Sequence, residues 1–204
     1  MTTHAPGDAA PATRQPLTID DLARRPRDEY RHELLDGTLM TSPPPSPLHQ
    51  ITAARLAGML LSACPDTMSV LPAPALRLSR STQLTPDLAI TRHAPAGSGP
   101  RTGPPSDTPL TQPPLLAVEV CSPLQAPAAF DRRMAAYAAF GVWSHWILTL
   151  GVRRPELTVF ELGSGRYQQT ARATGGDVLR TRHPFCTEIT PAQLTAGLYP
   201  AGRG

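Results

Sequence analysis

The sequence predicts an α/β fold, a mixed β-sheet flanked by helices. Three observations lead there. Two apolar, β-prone runs, 84–90 and 115–121, each carry one carboxylate, Asp87 and Glu119. The pair Asp36-Gly37 lies between two further β-like runs, a strong signal for a two-residue hairpin. Segments of helical periodicity are interspersed with these runs, and helices in that position cover the faces of a sheet.

The elements follow in order. Residues 1–16 are polar and rich in Pro and Ala, and are expected to form a disordered tail ahead of a single domain at 17–200. Thr18-Ile19-Asp20-Asp21 places an N-cap three residues before an acid, opening a short helix that stops before Pro26. Runs 31–35 and 38–41 are the hairpin strands. Pro43-Pro44-Pro45-Ser46-Pro47 ends the hairpin and leads into a helix whose apolar face is Ile51, Leu56, Met59, Leu60 and Ala63. Two strands are expected at 69–78 and 84–91. Residues 94–114 hold seven prolines and three glycines and read as a flexible loop. Run 115–120 is a central strand. A helix at 127–140 ends at Gly141, a natural C′ residue. Strands at 143–150 and 156–162, a turn at Gly163-Ser164-Gly165, an edge strand at 167–171 and a helical turn around Leu194 complete the chain.

Composition narrows the function. A chain of 204 residues is long enough for one domain with a substantial core. It has no apolar stretch of 18 residues and no signal-like start, so a cytoplasmic location is expected. Cys64, Cys121 and Cys186 are scattered, which argues against a disulfide framework or a cysteine zinc site. The net charge of +3 permits a polyanionic partner without demanding one. All 19 basic residues are arginine. No lysine is available for acid–base work.

A lone carboxylate in a buried strand is costly unless something pairs with it. Two such strands suggest that Asp87 and Glu119 face each other and share a cation, the layout of a Mg²⁺-dependent phosphodiesterase site. Strand alternation puts 117, 119 and 121 on one face and 118 and 120 on the other. Simpler readings compete: Asp87 ends a strand, Glu119 pairs with a buried arginine, and Glu33 faces solvent. Cys121 reads as a small buried hydrophobe. Trp143 and Trp146 are expected in the core, and His145 has no second histidine at ligand spacing.

Five ordered segments carry a resemblance. They are Arg31-His32-Glu33-Leu34-Leu35-Asp36-Gly37, Ser46-Pro47-Leu48-His49-Gln50, Pro86-Asp87, Val118-Glu119-Val120-Cys121-Ser122-Pro123 and Tyr137-Ala138-Ala139-Phe140-Gly141-Val142-Trp143-Ser144-His145-Trp146. Together they resemble the Uma-two family of restriction-endonuclease-like proteins, a branch of the PD-(D/E)xK nuclease superfamily, over roughly 17–162. The resemblance implies a restriction-endonuclease-like core and a metal-dependent endonuclease that hydrolyses DNA, using Mg²⁺ with Mn²⁺ as a substitute. DNA is the implied partner, no membrane is involved, and a homodimer is left open.

In that pattern Asp87 and Glu119 bind the metal, with the Val120 carbonyl as a further ligand. Glu33 matches the additional acidic residue, which would hold a water or orient the base. His49 and Gln50 could approach phosphate, and the Tyr137 hydroxyl would lie near the site. The lysine is where this chain departs. The strand position holds Cys121, and the helix position, four residues before Tyr137, holds Arg133. Arg133 could stabilise transition-state charge but not serve as a base, because guanidinium stays protonated. The alternative reading is a catalytically degenerate nuclease-fold module that binds nucleic acid or a partner protein. It is motivated by the absent lysine, the long loop after Asp87, and Leu150-Gly151 in place of an acidic turn.

Overall fold

The computed structural model describes residues 15–26, 28–93, 108–121, 127–151 and 154–198, with side chains described from 130 in the 127–151 segment. Residues 1–14 of the tail expected at 1–16, and residues 94–107 of the loop expected at 94–114, lie outside the described residues.

Helix α1 (Ile19–Ala23) starts on the expected capping box: Thr18 N–H donates to Asp21 Oδ2 at 2.8 Å, and the Asp21 N–H returns to Thr18 Oγ1 at 3.4 Å. Strands β1 (Arg31–Leu35) and β2 (Thr38–Ser42) form the hairpin. Asp36 and Gly37 have φ of 49° and 73°, the two left-handed residues that a type I′ turn requires. A Cβ on Gly37 would come within 2.4 Å of Pro16 Cβ, so glycine is also required by space.

Helix α2 (Pro47–Ala63) follows, N-capped by Ser46 with Pro47 in its first turn. Next come β3 (Met68–Pro72), β4 (Leu76–Ser79), β5 (Thr82–Leu84), β6 (Leu88–Arg92) and β7 (Leu116–Cys121). Helix α3 (Pro127–Phe140) leads to β8 (Ser144–Thr149), β9 (Glu156–Gly163) and β10 (Arg166–Thr174). A small pair, β11 (Leu179–Thr181) with β12 (Thr187–Ile189), and α4 (Pro191–Leu194) close the fold. The main sheet has six strands in the order β10-β9-β8-β7-β6-β3, and β2-β1-β5-β4 form a second sheet. Strands β7 and β8 are parallel, which requires a crossover, and α3 supplies it. The main sheet is therefore mixed, as expected for the predicted class.

Several sequence expectations are corrected. The run 69–78 is two strands, β3 and β4, and the run 84–91 starts on the last residue of β5 and continues as β6 after a break. At Ala73, with φ of 45°, the chain leaves the main sheet for the second one. At Thr85-Pro86-Asp87 it returns; Pro86 has no N–H to give a ladder. Alternation in the sequence is blind to a change of partner sheet. The stretch 108–114 is held in place: Leu110 N–H donates to Ala75 O and Arg77 N–H to Leu110 O, both at 2.8 Å, and Pro114 is buried. Ile51 and Ala63 face solvent, because α2 buries the four-spaced set Thr52, Leu56 and Leu60. Trp143 is 47% exposed, since it precedes the β8 ladder and sets its ring against His183.

Every residue of β7 is buried, and its two faces differ. Leu116, Val118 and Val120 join Leu56 and Leu60 of α2, with Trp146 and Leu148 of β8, in one core. Ala117 belongs to a second core with Tyr137 of α3, Leu35, Leu76, Leu84 and Val142. Glu119 lies on the α3 face.

Candidate active site

Glu119 is 5% exposed in an otherwise apolar strand. Alternation turns it toward α3, where Arg133 and Tyr137 stand one turn apart. Arg133 Nε donates to Glu119 Oε1 at 2.7 Å, and the Tyr137 hydroxyl donates to the same oxygen at 2.7 Å. The guanidinium then reaches the other sheet. Its two terminal nitrogens donate to Oε2 and Oε1 of Glu33, both at 2.8 Å. This forked geometry matches guanidinium to carboxylate. Glu33 Oε1 also accepts the Thr85 N–H at 2.6 Å. A single buried guanidinium thus bridges carboxylates from β1 and β7.

Asp87 is placed by the end of a ladder. Pairing of β6 with β7 stops at Leu88 opposite Val118, with Asp87 N–H donating to Val118 O at 2.9 Å. The next β7 amide on that side, Val120 N–H, has no strand opposite and donates to Asp87 Oδ2 at 2.7 Å. Asp87 Oδ1 lies 2.9 Å from His49 Nε2 and 3.5 Å from the Arg31 guanidinium. His49 sits in the first turn of α2, where the Ser46 hydroxyl caps its N–H. Arg31 also donates to Thr85 O at 3.3 Å and stands 3.9 Å from Glu33. Its side chain is 35% exposed, against 9% for Arg133, so it is the open cation of the site.

Burial sets the electrostatics. It pushes the Glu119 carboxyl above its ordinary value; Arg133 opposes that shift, and Asp87 and Glu33 add to it. Burial also works against the charge on Arg133, but Glu119 and Glu33 more than offset it and hold the proton. The Tyr137 hydroxyl is pushed well above its ordinary value, first by burial and then by Glu119. The Cys121 thiol is pushed up to about 12, chiefly by burial, which makes it an inert hydrophobe rather than a nucleophile. Behind Tyr137, His145 meets the ring edge-on at 5.0 Å. Burial pushes His145 down to about 3, and neither ring nitrogen has a hydrogen-bond partner.

The structure thus gathers Glu33, Asp87, Glu119, Arg133, Tyr137 and His49 into one network at the meeting of the two sheets. Gln50 is not part of it: it is exposed and donates to Pro45 O at 3.0 Å. Sequence reasoning missed Arg31 and the Thr85 amide. Arg31 shares a strand face with Glu33 two residues on, a spacing that could have found it. The Thr85 amide is a backbone group and left no residue-type signal.

The donor set fits a hard cation at one end only. Among the described residues no three His, Cys, Asp or Glu side chains are grouped to hold a metal. Glu33 has both oxygens engaged by Arg133 and Thr85. Asp87, just before β6, and Glu119, on the adjoining β7, carry hard-oxygen donors, and Asp87, whose two oxygens meet His49 and the Val120 N–H, stands directly beside the Val120 backbone. That is a set of the kind Mg²⁺ accepts.

A mixed sheet with clustered carboxylates where two of its strands end marks a nuclease-like fold. The chain belongs to the Uma2 family, described as "Putative restriction endonuclease", whose model matches residues 19–194. Among solved structures it is similar to a putative nuclease belonging to DUF820 from Anabaena variabilis, with a TM-score of 0.66 and 14% identity over 88% of this chain and 97% of that one. At that identity the likeness speaks for the fold. Nothing among curated proteins matches the chain. Among the described residues no helix is long and apolar enough to cross a membrane.

Proposed function

We propose that this chain is a metal-dependent nuclease that hydrolyses DNA phosphodiester bonds, with Mg²⁺ as the cofactor and Mn²⁺ as a substitute. The observation that carries the reading is the placement of Asp87: its carboxylate takes the Val120 N–H where the β6 ladder ends, next to Glu119 on the adjoining strand. Asp87, Glu119 and the Val120 carbonyl would hold the ion. Bound there, a divalent cation supplies Lewis-acid stabilisation of phosphate charge and a more acidic water.

The chain's own residues do the rest. His49 and the Val120 amide fix the Asp87 carboxylate from two sides. Arg31, half-exposed at the rim, meets the substrate phosphate and offsets its charge. Glu33 orients Arg133, whose fixed positive charge stabilises charge that develops on the phosphate oxygens. Arg133 moves no proton, so turnover is expected to be slow.

The second reading, a nuclease-fold module that binds without turnover, is favoured by the Arg133 bridge, which occupies two of the three carboxylates. Incubating supercoiled plasmid and single-stranded DNA with Mg²⁺ or Mn²⁺ separates the two. Metal-dependent nicking that chelator stops and Asp87→Ala abolishes is expected. Metal-free DNA binding that Asp87→Ala leaves unchanged, with no nicking, would favour the binding module.

A further inference from the structure

The two grips of Arg133 are unequal. Glu33 is held by a two-nitrogen fork and by the Thr85 amide, three bonds in all. Glu119 is held by Nε alone and by the neutral Tyr137 hydroxyl. One end of the bridge is therefore anchored, and the other is a single charged contact at the edge of the proposed metal set. A lysine at 133 would bring one compact ammonium and could not fork onto Glu33 while reaching Glu119. The arginine makes the bridge possible, and the bridge sets a fixed positive charge, beside the Tyr137 hydroxyl, on Oε1 of a carboxylate that the cation also needs.

We propose that Arg133 and the divalent cation compete for Glu119, so that Arg133 is an internal counter-ion that sets the metal affinity of the site. This rests on the metal-dependent reading above. In the bridged state the guanidinium balances two buried carboxylates. When a cation takes Glu119, Arg133 stays forked to Glu33 and Tyr137 keeps its hydroxyl on Glu119. The exchange costs one charged hydrogen bond, and no buried carboxylate is left without a counter-charge. The protein is then stabilised by either cation, but the second adds little while the first is in place.

The test is Mn²⁺ binding to the full chain, read from the electron paramagnetic resonance signal of free Mn²⁺, together with thermal unfolding in chelator and in Mn²⁺. The variants are Arg133→Lys, Arg133→Gln and Asp87→Asn. Arg133→Lys is expected to bind Mn²⁺ about 10-fold more tightly than the native chain, the scale on which groups around a metal's ligands tune affinity. Arg133→Gln should melt lower in chelator and gain more from Mn²⁺ than the native chain does. Asp87→Asn should lose binding. Equal affinity in the native chain and Arg133→Lys, with Asp87→Asn still losing it, would overturn the competition and leave the metal site standing. The Lys arm decides this even if Arg133→Gln does not fold. No Mn²⁺ binding in any variant would remove the metal-dependent reading and the competition together.

Discussion

The two faces of β7 are built from one six-residue strand and do opposite work. The face toward α2 carries Leu116, Val118 and Val120 in a core without a charge. The face toward α3 carries Ala117, Glu119 and Cys121, and around them lie Arg133, Tyr137 and His145, all buried. On the first face burial is favourable residue by residue. On the second, ionised groups are tolerable only because each is bonded to another. The difference shows where this fold accepts a cost in stability, and that place is the one where metal and phosphate chemistry could occur.

The sharpest way to break the comparison is to damage each face once. Trp146→Ala on the α2 face should cost about 3–5 kcal/mol as a cavity, a loss the same in chelator and in Mn²⁺. Arg133→Ala on the other face should cost a similar 3–5 kcal/mol or so, because it strands two buried carboxylates. The losses should differ in how they are repaired. Replacing Glu33, Glu119 and Arg133 together by leucine should recover most of the Arg133→Ala loss, and urea unfolding at neutral pH measures it. If the triple variant is no more stable than Arg133→Ala, the network is not the source of the cost.

Next in size is a pH effect confined to the α3 face. The folded pKa of His145, about 3, lies below its ordinary 6.5. As pH falls through 6.5 the unfolded chain takes up a proton that the folded protein refuses. Stability is therefore full above 6.5 and lost progressively down to about 3, by roughly 4 kcal/mol in all. His145→Phe should flatten that part of the stability–pH curve. An unchanged slope would show that the imidazole is not held neutral.

The smallest expected effect is that of Tyr137→Phe. It removes a hydrogen bond to a charged acceptor and should cost about 1.5–3 kcal/mol. Its sign sharpens the comparison: a loss near zero would mean that Arg133 alone satisfies Glu119.

Much of this was legible in the residues. Asp36-Gly37, the Thr18 cap, Gly141 after α3 and the apolar run of β7 each signal their structure locally, through φ, capping or burial. Asp87 and Glu119 stood out as carboxylates in apolar runs, and Glu33 through the family resemblance alone. What stayed hidden depends on partners distant in sequence. Nothing in 69–91 says that its strands alternate between two sheets, because alternation encodes burial and not the neighbour. Trp143 is exposed because the ladder begins one residue later. The Arg133 bridge needed the distance between β1 and α3, 100 residues apart in the chain. The Thr85 and Val120 amides belong to no residue type at all.

The most direct measurement of the central claim is an anomalous difference map from crystals of this chain soaked in Mn²⁺. The expected result is one peak at the end of β7, at roughly 2.1 Å from oxygens of Asp87, Glu119 and the Val120 carbonyl, with Arg133 withdrawn from Glu119 and still forked to Glu33. The contradicting result is no peak there at saturating Mn²⁺, with the Arg133–Glu119 bond intact.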